Sequence, residues 1–145
     1  MDANHDPVET LDAAQCWARL GAQELGRIIT HVGDVIEVFP INYVVDGQTL
    51  LFRTAEGTKL FSLIVNDDVT FEVDDHTDAD AWSVIVRGTA RVLESDAEVQ
   101  HADSLPLRPW IPTLKHTYVR IMPHQITGRA FRREEEPPRD GVQMY

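Results

Sequence analysis

Asp46-Gly47 separates two alternating apolar runs, INYVV and TLLFRT. An Asp-Gly pair in that setting marks a tight hairpin turn, because glycine tolerates the positive φ such a turn demands. The middle of the chain is thereby committed to antiparallel pairing. The surrounding sequence repeats the pattern: GRIITHV and VIEVF flank Gly33-Asp34, a second turn signal between two strands. Residues 69–74 (VTFEVD) alternate as a strand, and residues 81–93 (AWSVIVRGTARVL) read as a long one in which Gly88 marks a bulge or bend. Residues 117–122 (TYVRIM) and 125–131 (QITGRAF) read as two closing strands. Six or seven strands with this turn spacing predict a mainly β fold, a closed antiparallel barrel.

Helical spacing is confined to short stretches. In residues 10–20 (TLDAAQCWARL), Leu11, Ala14, Trp17, Ala18 and Leu20 recur at that spacing, with Thr10 the expected N-cap and Gly21 the expected C-cap. After Gly57, Leu60, Leu63 and Ile64 predict a short helix whose first turn is Thr58-Lys59. Ser95 with Glu98 three residues on is a capping-box pattern opening a third helix. Residues 74–80 (DDHTDAD) read as a solvated acidic loop, and Pro106, Pro109 and Pro112 impose an irregular segment around Trp110. The expected organisation is one domain over residues 1–132 and a charged, proline-containing tail over 133–145.

Charge restricts the partners. Thirteen Lys and Arg stand against 24 Asp and Glu, a net charge of −11. Nucleic-acid binding requires a basic face that displaces counterions from phosphates, and anionic membranes require the same, so neither is expected. The acidic start, MDANHDPVE, is not a secretory signal, and the reading is cytoplasmic. Cys16 is the lone cysteine, which excludes an internal disulfide and a cysteine-based zinc site; in a helix beside Trp17 it reads as a small buried residue. The six histidines show neither HxH nor HExxH spacing, so no metal site is expected.

The stretch that calls for chemistry is FRTAEGTKL, residues 52–60. A strand ending in Arg53-Thr54, then Gly57, then Thr58-Lys59 at a helix start, makes a good phosphate cradle. Helix N-termini present free N–H groups and a partial positive charge, Arg53 offers a bidentate fork, and Lys59 adds a point charge. The plain alternative is a solvated turn whose cations offset nearby acids, and no Walker or dinucleotide glycine pattern decides between them.

PINYVVDGQTLLFRTAEGTKL, the VTFEVD strand, WSVIVRGTARVL and the C-terminal VRIMPHQITGRAF, in that order and spacing, resemble the pyridoxamine 5′-phosphate oxidase-like family, the FMN-binding split barrels. The resemblance covers roughly residues 12 to 132. It implies a split β-barrel homodimer with FMN at the subunit interface, acting as an oxidoreductase on a small molecule. Matching positions for the isoalloxazine and ribityl chain are Pro40, Asn42, Tyr43 and Val44; those for the phosphate are Arg53, Thr54, Ala55, Thr58 and Lys59. Trp82 or Ser83 matches a further flavin-touching position. The family's vitamin-gripping Arg-x-His element has no counterpart in GRAFRREEEPPRD, so the implied activity is not pyridoxamine phosphate oxidation. Some small members of the superfamily use a deazaflavin coenzyme instead, and others bind flavin without turnover; the net charge of −11 favours FMN over a polyanionic deazaflavin.

Overall fold

The computed structural model describes residues 6–55, 57–108 and 117–134. Seven strands and three helices follow in chain order: β1 (Val8–Leu11), α1 (Ala13–Gly21), β2 (Leu25–Val32), β3 (Val35–Asp46), β4 (Thr49–Thr54), α2 (Thr58–Val65), β5 (Asp68–His76), β6 (Asp80–Val92), α3 (Asp96–Asp103) and β7 (Thr117–Arg132). The ladders among the described residues are antiparallel, in the order β1-β7-β4-β3-β2-β5-β6, and a β6–β7 ladder closes the ring. Six strands form the barrel, and β1 lies outside it along the end of β7. The expected hairpin is present: Asp46 pairs with Thr49 across a turn in which Gly47 has φ 62°.

Four local expectations are corrected. Thr10 is not a cap but part of β1; Asp12 caps α1, with Gln15 completing a reciprocal capping box, because an aspartate one residue before the first helical turn satisfies the N3 amide. Gly21 is the last residue of α1 and Ala22 its C-cap, in a right-handed conformation that needs no glycine. The acidic loop is shorter than expected: β5 runs to His76 and the turn is held by the Thr77 hydroxyl, which accepts from the Ala79 and Asp80 amides. The two closing strands are one strand of 16 residues. Gly88 does mark a bulge, since the β6–β7 register slips between Arg87 and Gly88 and His124 is the extra residue opposite them. The Trp110 segment beyond residue 108, and the tail beyond residue 134, lie outside the described residues.

Alternation on each strand sends one set of side chains inward. Ile28, Leu50, Phe52, Phe71, Val84, Val86, Val119 and Ile121 fill the barrel. Tyr43 belongs to this set: its ring meets Phe71 edge-on at 4.9 Å, and its hydroxyl donates to the Leu20 carbonyl, joining α1 to the barrel. Cys16 is fully buried in the same core, and burial pushes its thiol pKa up. A second cluster of Leu51, Leu93, Ala102 and Tyr118 seats α3 on the outside of the barrel. No helix of the described residues is long and apolar enough to cross a membrane.

The outer face of β2 and β5 carries Arg27, Glu72 and Asp74 together. Burial, then the neighbouring Asp74, pushes the Glu72 pKa up to about 7, while the hydrogen bond from Glu72 holds Asp74 below the usual carboxylate range. Between about 4.5 and 7 the folded chain therefore keeps a proton that the unfolded chain has released. Stability then falls as pH rises through that window. Thermal melts from pH 4.5 to 7.5 should show this slope, and Glu72→Gln should flatten it.

Candidate functional site

β3 and β4 are paired from Asp46–Thr49 as far as Tyr43–Phe52. Beyond that point β4 stays with β7, through Arg53–Tyr118 and Thr54–Thr117, whereas β3 stays with β2, through Asn42–Leu25 and Pro40–Arg27. The two strands part there, and the loop leading to α2 starts at the opening. Pro40, Asn42 and Val44 share the outer face of β3, opposite the inward-facing Ile41 and Tyr43. Tyr43 thus gives this face only its backbone. Asn42 bonds the Glu24 carbonyl through its side-chain amide at 3.3 Å.

Arg53 leaves β4 on the outer face, with Leu51, and Thr54 turns inward and is buried. The Arg53 Nε is buried and has no hydrogen-bond partner among the described residues. The Thr54 hydroxyl donates to the Ala55 carbonyl at 3.2 Å, so its proton is committed locally. Gly57 opens α2 with φ 154°, a conformation L side chains rarely adopt, and nothing lies within 4 Å of where a Cβ would stand. No side chain caps this helix, which leaves the first-turn N–H groups of Thr58, Lys59 and Leu60 facing the loop. Lys59 Nζ lies 5.7 Å from the centroid of the Phe39 ring, and burial lowers its pKa. No ion pair of Arg53 or Lys59 occurs among the described residues. The two cations approach the loop from opposite faces of the sheet, because Phe39 packs on the barrel core and Arg53 does not.

Trp82 and Ser83 are adjacent on β6 and point to opposite sides. Trp82 is buried in the core beneath Arg19, whose guanidinium carbon lies 5.4 Å from the ring centroid. Ser83 is on the outer face between Asp74 and Arg129. It shares that face with Asn42 but is separated from it by β2 and β5, roughly 14 Å at ordinary strand spacing. Within one chain the structure therefore brings Pro40, Asn42, Val44 and Arg53 to one end of a shared face, with Lys59 reaching the same loop from the other face, and leaves Ser83 across it and Trp82 behind it. A residue missed from sequence is Tyr118, which neighbours Arg53 across the β4–β7 ladder. Its signal was the strand alternation in TYVRIM, once the register with TLLFRT is known.

A six-stranded antiparallel barrel in which a strand pair opens onto a helix start, beside an arginine whose buried Nε has no partner among the described residues, defines a split-barrel protein. The chain belongs to the pyridoxamine 5′-phosphate oxidase family (Pyridox_ox_2), whose profile matches residues 12–130. The uncharacterized protein Rv3129 of Mycobacterium tuberculosis is 53% identical over 96 residues, 66% of this chain and 87% of that one. A crystal structure of a candidate pyridoxamine 5′-phosphate oxidase from Corynebacterium glutamicum is 47% identical, with a TM-score of 0.84 over 90% of this chain and 98% of its own. The FAD binding protein of Mycobacterium smegmatis is 49% identical, with a TM-score of 0.74 over 85% of this chain and 98% of its own.

Proposed function

We propose that this chain is a flavin-dependent oxidoreductase that holds FMN by its phosphate and serves a small-molecule acceptor. The observation that carries the reading is the buried Arg53 Nε, which has no partner among the described residues, beside a helix start that none of their side chains caps. A buried donor left unmade costs about 1–3 kcal/mol, which a ligand oxygen recovers. A phosphate fits this donor set: Arg53 supplies N–H groups in a planar fork, the α2 amides and Thr58 supply more, and Lys59 supplies charge. The open space above Gly57 allows close approach of the ligand to the backbone.

FMN, when bound, supplies the redox chemistry. The chain's own groups bind, orient and exclude water. Pro40, Asn42 and Val44 offer their outer face to the ring, while the Tyr43 N–H is already given to the Glu24 carbonyl at 3.0 Å. The name of the M. smegmatis relative speaks for flavin binding, and for FAD as the ligand to titrate beside FMN. Binding of FMN at one per chain, followed by flavin fluorescence, is the expected result; no uptake of either flavin would remove the reading.

The functional unit is a homodimer, in which a second copy brings its Ser83 to the cleft. This is supported by the distance of Ser83 from Asn42 within one chain, and by apolar side chains left bare on the outer face of β2 and β3. Leu25, Ile36 and Val38 are 44%, 70% and 55% exposed. Such a patch marks an association surface. The protein should sediment near 33 kDa, twice its 16.4 kDa. Ile36→Glu combined with Val38→Glu should give a monomer with weakened flavin affinity.

A further inference from the structure

We infer that Tyr118 and Asp103 are positioning residues for Arg53, fixing its guanidinium so that the Nε edge faces the ligand phosphate. This rests on the phosphate-cradle reading above and goes one layer behind it. Tyr118 stands across the ladder from Arg53. Its ring is 4% exposed and wedged among Leu51, Leu93 and Ala102, so it has no room to swing. Its hydroxyl donates to Asp103 Oδ1 at 2.6 Å. Arg53, its neighbour across the ladder, interacts with the same hydroxyl and opposes the rise of its pKa.

The result is a chain of three groups: a carboxylate, a phenol and a guanidinium. Asp103 polarises the phenol oxygen and makes it a stronger acceptor for Arg53. Burial, then Asp103, raises the Tyr118 pKa against the opposing pull of Arg53, so the phenol keeps its proton and the chain keeps its direction at neutral pH. One side of the guanidinium is thus held while Nε stays without a partner among the described residues. A fork oriented in advance loses less freedom when the ligand arrives. Asp103 is the last residue of α3. That helix is tied to the barrel two residues earlier, where His101 Nε2 lies 2.9 Å from Asp46 Oδ2, an oxygen that the β7 residue Arg120 also holds at 2.9 Å. The seating of α3 therefore sets the aim of Arg53.

The test uses the full chain and two ligands, FMN and riboflavin, which differ by the phosphate alone. Tyr118→Phe keeps the ring and removes the hydroxyl. It should lower FMN affinity by about three- to tenfold, the worth of one hydrogen bond, and leave riboflavin affinity unchanged. Asp103→Asn, which keeps an acceptor and loses the charge, should give a smaller loss of the same kind; it also carries the test if Tyr118→Phe does not fold. In an Arg53→Ala background, Tyr118→Phe should change nothing further. Equal losses for FMN and riboflavin, or an undiminished loss in the Arg53→Ala background, would overturn the assignment. If Arg53→Ala lowers the FMN-to-riboflavin ratio and Tyr118→Phe does not, the positioning role alone falls. If Arg53→Ala leaves that ratio unchanged, the phosphate cradle itself falls and this role with it.

Discussion

Replacing Arg53 and Lys59 together by alanine lowers FMN affinity by about 100-fold or more while the ligand-free protein melts where the parent does. The two halves of this expectation have different causes. Hydrogen bonds to charged groups contribute about 1.5–3 kcal/mol each, so losing both cations removes at least about 3 kcal/mol of binding, more than two decades in Kd. The folded chain loses little. Arg53 Nε has no partner among the described residues, so on that edge truncation removes an unsatisfied donor, and what it gives up is the interaction with the Tyr118 hydroxyl. Lys59 is partly desolvated and lies over the Phe39 ring, so its removal relieves a desolvated charge. Titration by flavin fluorescence, paired with melts of the ligand-free protein, separates the two. Equal affinity in the variant and the parent would show that the cations are a solvated turn and that the phosphate lies elsewhere.

The second large effect falls on stability. Gly88→Ala places a methyl carbon 2.5 Å from the Met122 carbonyl oxygen and 3.1 Å from Ile121 Cγ2. The first neighbour is backbone, in the most extensive ladder of the barrel, and cannot rotate away. Relief requires β6 and β7 to separate at the bulge. Overpacking of this kind costs about 1–3 kcal/mol, and Tm should fall by roughly 3–10 °C. Gly21→Ala is the control: nothing lies within 4 Å of its Cβ position, and at the end of a helix alanine should be neutral or mildly stabilising. A Gly88→Ala protein that melts with the parent would mean that the β6–β7 pairing is looser than the register implies.

The barrel was legible because turn chemistry and alternation agree along most of the chain. Asp46-Gly47, the VTFEVD alternation and Gly88 each appear as the element or bulge they signalled. What failed did so for definable reasons. Pro123 lies between TYVRIM and QITGRAF and cannot donate to a ladder, yet the bulge at Arg87/Gly88 absorbs the extra residue and the strand continues. β1 is four residues long and pairs only with the end of β7, too short to show a period. Asp12 beat Thr10 as a cap by position alone.

The site was half legible. The order Arg, Thr, Gly, Thr, Lys announced a cradle, but no local pattern says which face of the sheet each side chain takes. Alternation decides this only once the register is known. It puts Tyr43 and Trp82 inside, Ser83 outside, and Arg53 against Tyr118. The partnership of Arg53 with Tyr118 and Asp103 spans about 65 positions of sequence and arises from the β4–β7 crossover, which no short window contains.

The most direct test of the account is an absorbance spectrum of the freshly purified protein, followed by mass identification of whatever heat releases. The account predicts flavin bands, release of FMN, and rebinding by the stripped protein at one FMN per chain. Release of a deazaflavin would replace the cofactor and keep the cradle. A colourless protein that takes up neither FMN, FAD nor a deazaflavin on titration would contradict the account, leaving residues 52–60 as a loop with no ligand.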